Sequence, residues 1–267
     1  MKKEGQGFLT FAQGKEYLDC AYLLALSIKR NCKINKFCVI VDEETSNYVL
    51  PKHLKVFDEY SILKKLKPFE NESWAWKMTP FKETIKLESD MIVPSSIDHW
   101  WDGLRLKNIC FTHKVRDYKG NISKNRHYRK LWDDNNLPDY YNGVMYFRHC
   151  VESKEFFEDA KNIYDNYNIY RDKILLNCRH ELPDTDIVFS IASLGNNYHI
   201  PSLDYPSFVH MKEKIQGWNV SDWRDAVSYA LTEDNIFIVN GYAQTYPFHY
   251  YHKDLTKELI PRYEQQQ

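Results

Sequence analysis

Apolar positions along the chain fall into two spacings. Phe8 to Ala12 is a short apolar stretch, and after the polar turn Gln13-Gly14-Lys15 the apolar positions 18, 21, 22, 25 and 28 recur at the spacing of one helix face. Phe37-Cys-Val-Ile-Val41 is again continuous and β-branched, and it ends in Asp42-Glu43-Glu44, the pattern of a strand covered on both faces in a parallel sheet. Val56-Phe57 predicts a third short strand. Strands alternating with helices over the first hundred residues predict an α/β fold, an open and mostly parallel sheet, in which ligands bind beyond the carboxyl ends of the strands. Chemistry is therefore expected just after each strand.

Ile85-Lys-Leu87 leads into Glu88-Ser89-Asp90 and then Met91-Ile-Val93, so two acids interrupt an apolar run. Carboxylates there are costly unless paired or metal-bound. Tyr141 to Phe147 reads as a further strand begun through Asn142-Gly143, followed by a helix from Ser153 to Tyr167 with Phe156, Ala160, Ile163, Tyr164 and Tyr167 on one side. Another helix starts at Leu182-Pro-Asp184-Thr-Asp186, with Asp184 as N-cap, and ends at Gly195. Ile236 to Val239 predicts a strand, and a polar aromatic stretch runs from Gly241 to His252. No internal repeat or linker interrupts the chain, and the terminal Glu-Gln-Gln-Gln is expected to fray.

A chain of 267 residues can bury one sizeable core, so a single domain, 1–267, is expected. Apolar residues at 43% and charged residues at 27% describe a soluble globular protein, and no apolar run approaches the roughly 20 residues of a membrane span. The start carries no apolar stretch with a small-residue cleavage site, which points to the cytoplasm. Cysteines 20, 32, 38, 110, 150 and 178 form no Cys-x-x-Cys pair and are expected as free, buried thiols. The net charge of −1 does not suit a general nucleic-acid binder. One stretch departs from that balance: Thr112 to Trp132 holds Lys114, Arg116, Lys119, Lys124, Arg126, Arg129 and Lys130 against Asp117.

Breaking a bond between a sugar and a nucleotide diphosphate releases a highly anionic leaving group, which a divalent cation or basic residues must hold. Hard oxygen ligands suit Mg²⁺ or Mn²⁺. Two carboxylates one residue apart at a strand end, as in Glu88-Ser89-Asp90, can both reach such an ion where the chain turns.

In several places the chain resembles the GT-A fold glycosyltransferases, in particular the family that includes bacterial galactosyltransferases and glycogenin. Phe8-Leu-Thr-Phe-Ala12 followed by Tyr17 looks like that family's first strand and uracil-binding loop, and Lys77 is similar to a basic residue that contacts the donor phosphates. Leu87-Glu88-Ser89-Asp90-Met91 resembles its Asp-x-Asp metal signature, with Glu in place of the first Asp. Asn142-Gly143-Val144-Met145 resembles its Asn-x-Gly-Val strand start, and Asp184-Thr185-Asp186 resembles an Asp-Gln-Asp step facing donor sugar and acceptor. Phe208-Val209-His210, then Gly217-Trp218, is similar to a late motif whose histidine completes the metal site; Gln216 stands at its lysine, so that Lys212 or Lys214 would substitute.

This resemblance implies a GT-A, Rossmann-like domain with a nucleotide-sugar-binding half, 1–100, and a smaller acceptor-side half, 101–267. It also implies a metal-dependent glycosyltransferase using a nucleotide-diphosphate sugar, expected to be a UDP-sugar. Glu88, Asp90 and His210 would hold Mn²⁺ or Mg²⁺. Ala12, Tyr17, Lys77, Ser89, Asn142, Gly143, Lys214, Gly217 and Trp218 would contact the donor, and Asp184 and Asp186 would orient the acceptor hydroxyl or take its proton.

The basic stretch suggests a polyanionic acceptor. The Lys/Asn/Tyr-rich style resembles tailed-phage proteins that modify DNA, which makes duplex DNA carrying hydroxymethylpyrimidines the first choice, with Lys124, Arg126, Arg129 and Lys130 on its phosphates. The alternatives are a cell-surface or lipid-linked glycan acceptor, and a non-catalytic nucleotide- or DNA-binding module.

Overall fold

A computed structural model describes residues 3–64, 67, 69–123, 129–195, 204–210 and 227–265. The described strands are β1 (Gln6–Ala12), β2 (Phe37–Asp42), β3 (Glu59–Leu63), β4 (Glu83–Leu87), β5 (Met91–Ile92), β6 (Ile109–Thr112), β7 (Tyr141–Arg148), β8 (Val209–His210), β9 (Tyr229–Leu231), β10 (Phe237–Val239), β11 (Tyr242–Ala243) and β12 (Phe248–His249). Six of them form the central sheet in the order β3-β2-β1-β4-β7-β6. The four strands β3, β2, β1 and β4 run parallel, and β7 lies antiparallel between β4 and β6, so that β7 alone of the six runs in the opposite direction. The fold is thus α/β with a mostly parallel sheet, as the apolar pattern predicts.

Side chains along these strands alternate between two buried clusters, so both faces of the sheet are covered. On β1, Phe8 and Ala12 join one cluster with the helix α1 (Lys15–Asn31), while Leu9 and Phe11 join the other with Phe111, Phe147, Phe156 and Phe189. On β2, Phe37, Val39 and Val41 go one way and Cys38 and Ile40 the other. Cys20, Cys32, Cys38 and Cys110 are buried free thiols, and Cys150 and Cys178 are partly covered. Among the described residues no helix is long and apolar enough to cross a membrane.

Two elements differ from expectation. Val56 and Phe57 are buried but form no strand: Pro51, whose fixed φ suits a first helical turn, opens the helix Pro51–Val56, and the strand is the next segment, β3. β3 lies at the sheet edge and is half exposed, so its sequence carries no apolar run. The helix expected at 153–167 spans Val151–Asp165.

Two features of topology set up a site. The first three strands build outward from β1 on one side, and β4 is added on the other, so the strand order reverses between β1 and β4. That is where open α/β sheets hold ligands. The tips are tied together, since the Thr10 hydroxyl donates to the Leu87 carbonyl at 2.8 Å. Immediately after β4 the chain enters a second, three-stranded sheet in the order β5-β12-β8, in which His249 is paired with Met91 on one side and with His210 on the other. The third sheet, β11-β10-β9, is antiparallel. The helix Leu255–Glu264 then returns to α1, burying Leu255, Leu259 and Tyr263 in its cluster.

Candidate metal and nucleotide-sugar site

A cleft of about 500 Å³ opens at the carboxyl ends of β1 and β4. Glu88, Ser89 and Asp90 line it where the chain crosses from β4 to β5. Backbone bonds fix this crossing: the Glu88 N–H donates to the Gly143 carbonyl at 3.0 Å, and the Tyr250 N–H donates to the Asp90 carbonyl at 3.2 Å. The second of these bonds belongs to the β5–β12 edge, and it brings the C-terminal segment against the acidic pair.

The side chains converge accordingly. His249 Nε2 lies 3.1 Å from Asp90 Oδ1 and 3.5 Å from Glu88 Oε2. One ligand atom from each of Glu88, Asp90 and His249 falls within 4.8 Å of the others, which is the group that could hold a metal ion among the described residues. Burial alone would push the His249 imidazole toward neutrality, but the Asp90 and Glu88 carboxylates outweigh it and hold its pKa above the ordinary value. Burial likewise opposes charge on Asp90, yet the His249 imidazole beside it keeps that carboxyl below the usual range. The site is therefore built to place positive charge between these groups, as a proton or as a cation. Two carboxylate oxygens and one imidazole nitrogen fit a divalent ion of the Mn²⁺ or Mg²⁺ type, the nitrogen favouring Mn²⁺.

The converging imidazole is thus His249, not His210. His210 sits on the adjacent strand, lines the same cleft, and meets His249 edge-to-face with ring centroids 5.2 Å apart. His249 belongs to the aromatic stretch after Val239, and no local pattern marked it. Four residues later Lys253 places its ammonium 4.0 Å from the centroid of the Tyr17 ring. Burial works against that charge, but Tyr17 and Asp90 sustain it and raise its pKa.

The remaining candidates divide by position. Tyr17 lines the cleft, half exposed, whereas Ala12 is buried at the end of β1 between the lining residues Phe11 and Gln13. Lys77 is exposed, with its ammonium 4.7 Å over Trp74, and is not among the lining residues. Gly143 lines the cleft and is needed for packing. A Cβ there would lie 2.6 Å from Phe208 Cζ and 2.8 Å from Met91 Cε.

Asn142, Asp184 and Asp186 line the cleft together. Asp184 Oδ1 accepts the Asp186 N–H at 2.9 Å, so it does act at the start of the helix Thr185–Gly195. Asp186 is clamped: its Oδ1 accepts the Asn142 N–H at 2.7 Å and its Oδ2 accepts from Arg129 at 2.8 Å. Burial pushes the Asp186 carboxyl up to about 7 against the pull of that guanidinium.

Arg129, expected on a DNA phosphate, is fully buried instead. Its donors go to Asp139, Asp186 and the Tyr140 carbonyl, and its plane packs 3.6 Å from the Trp132 ring centroid and 4.2 Å from that of Tyr141. A guanidinium spent in this way has no fork left for a phosphate. Lys130 is exposed at the start of the helix Lys130–Asp134. Lys124, Arg126, Lys214, Gly217 and Trp218 lie outside the described residues.

No protein-family model and no curated protein matches the chain. Solved structures do align with it. Mouse xyloside xylosyltransferase 1, in its apo form, aligns at 11% identity and a TM-score of 0.46, over 74% of this chain and 85% of that one. The glycosyltransferase GlyE of Streptococcus pneumoniae aligns at 10% identity and a TM-score of 0.46, over 76% of this chain and 46% of that one. The bifunctional glycosyltransferase WbbM aligns at 11% identity and a TM-score of 0.41, over 61% of this chain and 35% of that one. The chain thus spans less than half the length of GlyE and WbbM.

Proposed function

We propose that the protein is a metal-dependent glycosyltransferase that takes its sugar from a nucleotide diphosphate, with a UDP-sugar as the favoured donor. The observation that carries this reading is the convergence of Glu88, Asp90 and His249 at the strand-order reversal, in a cleft whose described lining has five carboxylates and neither Lys nor Arg. Five carboxylates with no Lys or Arg among the described lining residues repel a diphosphate. Glu88, Asp90 and His249 would hold a divalent cation there, whose charge would offset that of the two carboxylates and which would supply Lewis-acid stabilisation to the departing diphosphate.

The chain's own residues have distinct parts in this reading. Tyr17, with the Lys253 ammonium over its ring, receives the nucleotide at the β1 end of the cleft. Ser89 and Asn142 line the cleft that would receive the donor, and the missing side chain at Gly143 makes room for Phe208. The Asn142 N–H and Arg129 fix Asp186 at the cleft wall, where it serves to orient the acceptor hydroxyl. Asp184 uses only Oδ1 in the helix cap among the described residues, which leaves Oδ2 to take the acceptor's proton.

For the acceptor, the acid-lined cleft favours a neutral, hydroxyl-rich molecule such as a glycan over duplex DNA. Buried Arg129 removes one of the four cations on which the DNA reading relied.

The test is donor turnover without acceptor. Nucleotide diphosphate release from a panel of nucleotide-sugars should appear with Mn²⁺, disappear with chelator, and be lost in Asp90→Asn. Binding of nucleotide without any release, at every donor tried, would instead indicate a non-catalytic binding module. Adding hydroxymethylcytosine DNA and neutral oligosaccharides as acceptors separates the two acceptor classes, and steep loss of transfer with added salt would mark DNA.

A further inference from the structure

One buried charge is not explained by the metal site. Lys86 lies in β4 between the apolar residues Ile85 and Leu87, in the middle of the central sheet, and its side chain has no exposure. Its ammonium is 2.7 Å from Glu72 Oε2 and donates to the Asn142 carbonyl at 3.2 Å. Two well-packed apolar residues would stabilise this position at least as well as a buried ion pair. The pair is therefore better understood through what it holds in place.

Glu72 is mostly buried, yet its side chain reaches the cleft. It lines the cleft beside Asn71, and so does Asn142, whose amide is also a hydrogen-bond partner of the Glu72 carboxyl. Asn142 Oδ1 is buried and has no hydrogen-bond partner among the described residues. The Glu72 carboxylate is thus an acceptor on this wall, with the buried amide oxygen of Asn142 behind it, and an acceptor there calls for a ligand bringing hydrogens. A phosphate at neutral pH brings almost none, while a sugar ring brings several hydroxyls. The cleft accordingly has a cation end for phosphate and a hydrogen-accepting wall for hydroxyls.

Resting on the transferase reading above, we propose that Glu72 is a specificity-determining residue that accepts a hydrogen bond from a ring hydroxyl of the donor's sugar. Lys86 is the positioning residue that keeps its carboxyl group on the cleft wall.

The test compares dissociation constants for UDP-, GDP- and dTDP-hexoses with those for the matching diphosphates, all with Mn²⁺, in the wild-type chain, Glu72→Gln, Lys86→Met and Glu72→Leu/Lys86→Met. In Glu72→Gln, which keeps an acceptor oxygen but loses its charge, the ratio of the sugar-nucleotide constant to the diphosphate constant should rise about 5- to 10-fold, the difference between a hydrogen bond to a charged and to a neutral acceptor. Lys86→Met should raise the same ratio. The double variant should keep or exceed the wild-type melting temperature while its ratio stays raised, which separates recognition from folding.

An unchanged ratio in Glu72→Gln, or an equal loss for both ligands, overturns the proposal. With Mn²⁺-dependent diphosphate binding intact, either result leaves the transferase reading standing. Failure of the wild-type chain to bind any member of the panel contradicts that reading and this proposal together.

Discussion

His249 Nε2 lies 3.1 Å from Asp90 Oδ1 because β12 pairs with the strand that begins at Met91, directly after Asp90. The contact joins the acidic turn after β4 to a short strand near the far end of the chain. It is a product of topology, and it governs the first two predictions.

Substituting either partner should uncouple metal from fold. A ligand present at a hundred times its dissociation constant stabilises the folded state by about 2.7 kcal/mol. Mn²⁺ should therefore raise the melting temperature of the wild-type chain but not of Asp90→Asn or His249→Ala. Thermal scans with and without Mn²⁺ measure this directly.

The pH dependence should change sign with the cation. Without metal, the folded-state pKa of His249 is raised above its unfolded value of 6.5, so its contribution to stability is complete below that value and is lost as pH rises through the folded pKa. Asp90, with a depressed pKa, contributes above 3.8 and loses that contribution as pH falls through its folded pKa. Cation binding requires His249 to release its proton, so the Mn²⁺-induced shift in melting temperature should grow as pH rises through the same window. Melting curves in matched buffers from pH 5 to 8 (the range on the order of where histidine titrates) test both slopes.

Most of the scaffold was legible in the sequence, and the reasons are local. The continuous apolar runs at Phe8–Ala12 and Phe37–Val41 marked strands buried on both faces, and Glu88 and Asp90 stood out as acids inside an apolar run. The sequence does not mark β3 because an edge strand needs no apolar run, whereas the buried pair Val56-Phe57 at the end of the preceding helix looks like one. His249 escaped because a two-residue strand has no periodicity, and its partner in the site is distant in sequence. Arg129 was misplaced for the opposite reason. It stands among exposed-looking cations, and only the tertiary structure shows Asp139 and Asp186 waiting for it.

Arg129 should behave as a structural residue. Arg129→Ala leaves Asp139 and Asp186 without their cation, and breaking a buried ion pair from one side costs about 3–5 kcal/mol. Urea unfolding of the variant should show that loss. A variant as stable as wild type would show that the guanidinium does not hold these acids.

Gly143 offers a packing test next to the site. Gly143→Ala forces its new methyl against Phe208 and Met91, and overpacking of this kind costs about 1–3 kcal/mol. Combining it with Phe208→Leu should recover part of that loss, as measured by the same unfolding experiment, because the ring atom in contact is removed.

The central claim is that Glu88, Asp90 and His249 together hold a divalent cation. Mn²⁺ binding followed by the loss of its free-ion electron paramagnetic resonance signal tests it most directly, in the wild-type chain, His249→Ala and His210→Ala. Saturable binding that His249→Ala abolishes and His210→Ala retains is the predicted result. Binding that survives in His249→Ala, or no binding by the wild-type chain, would contradict it.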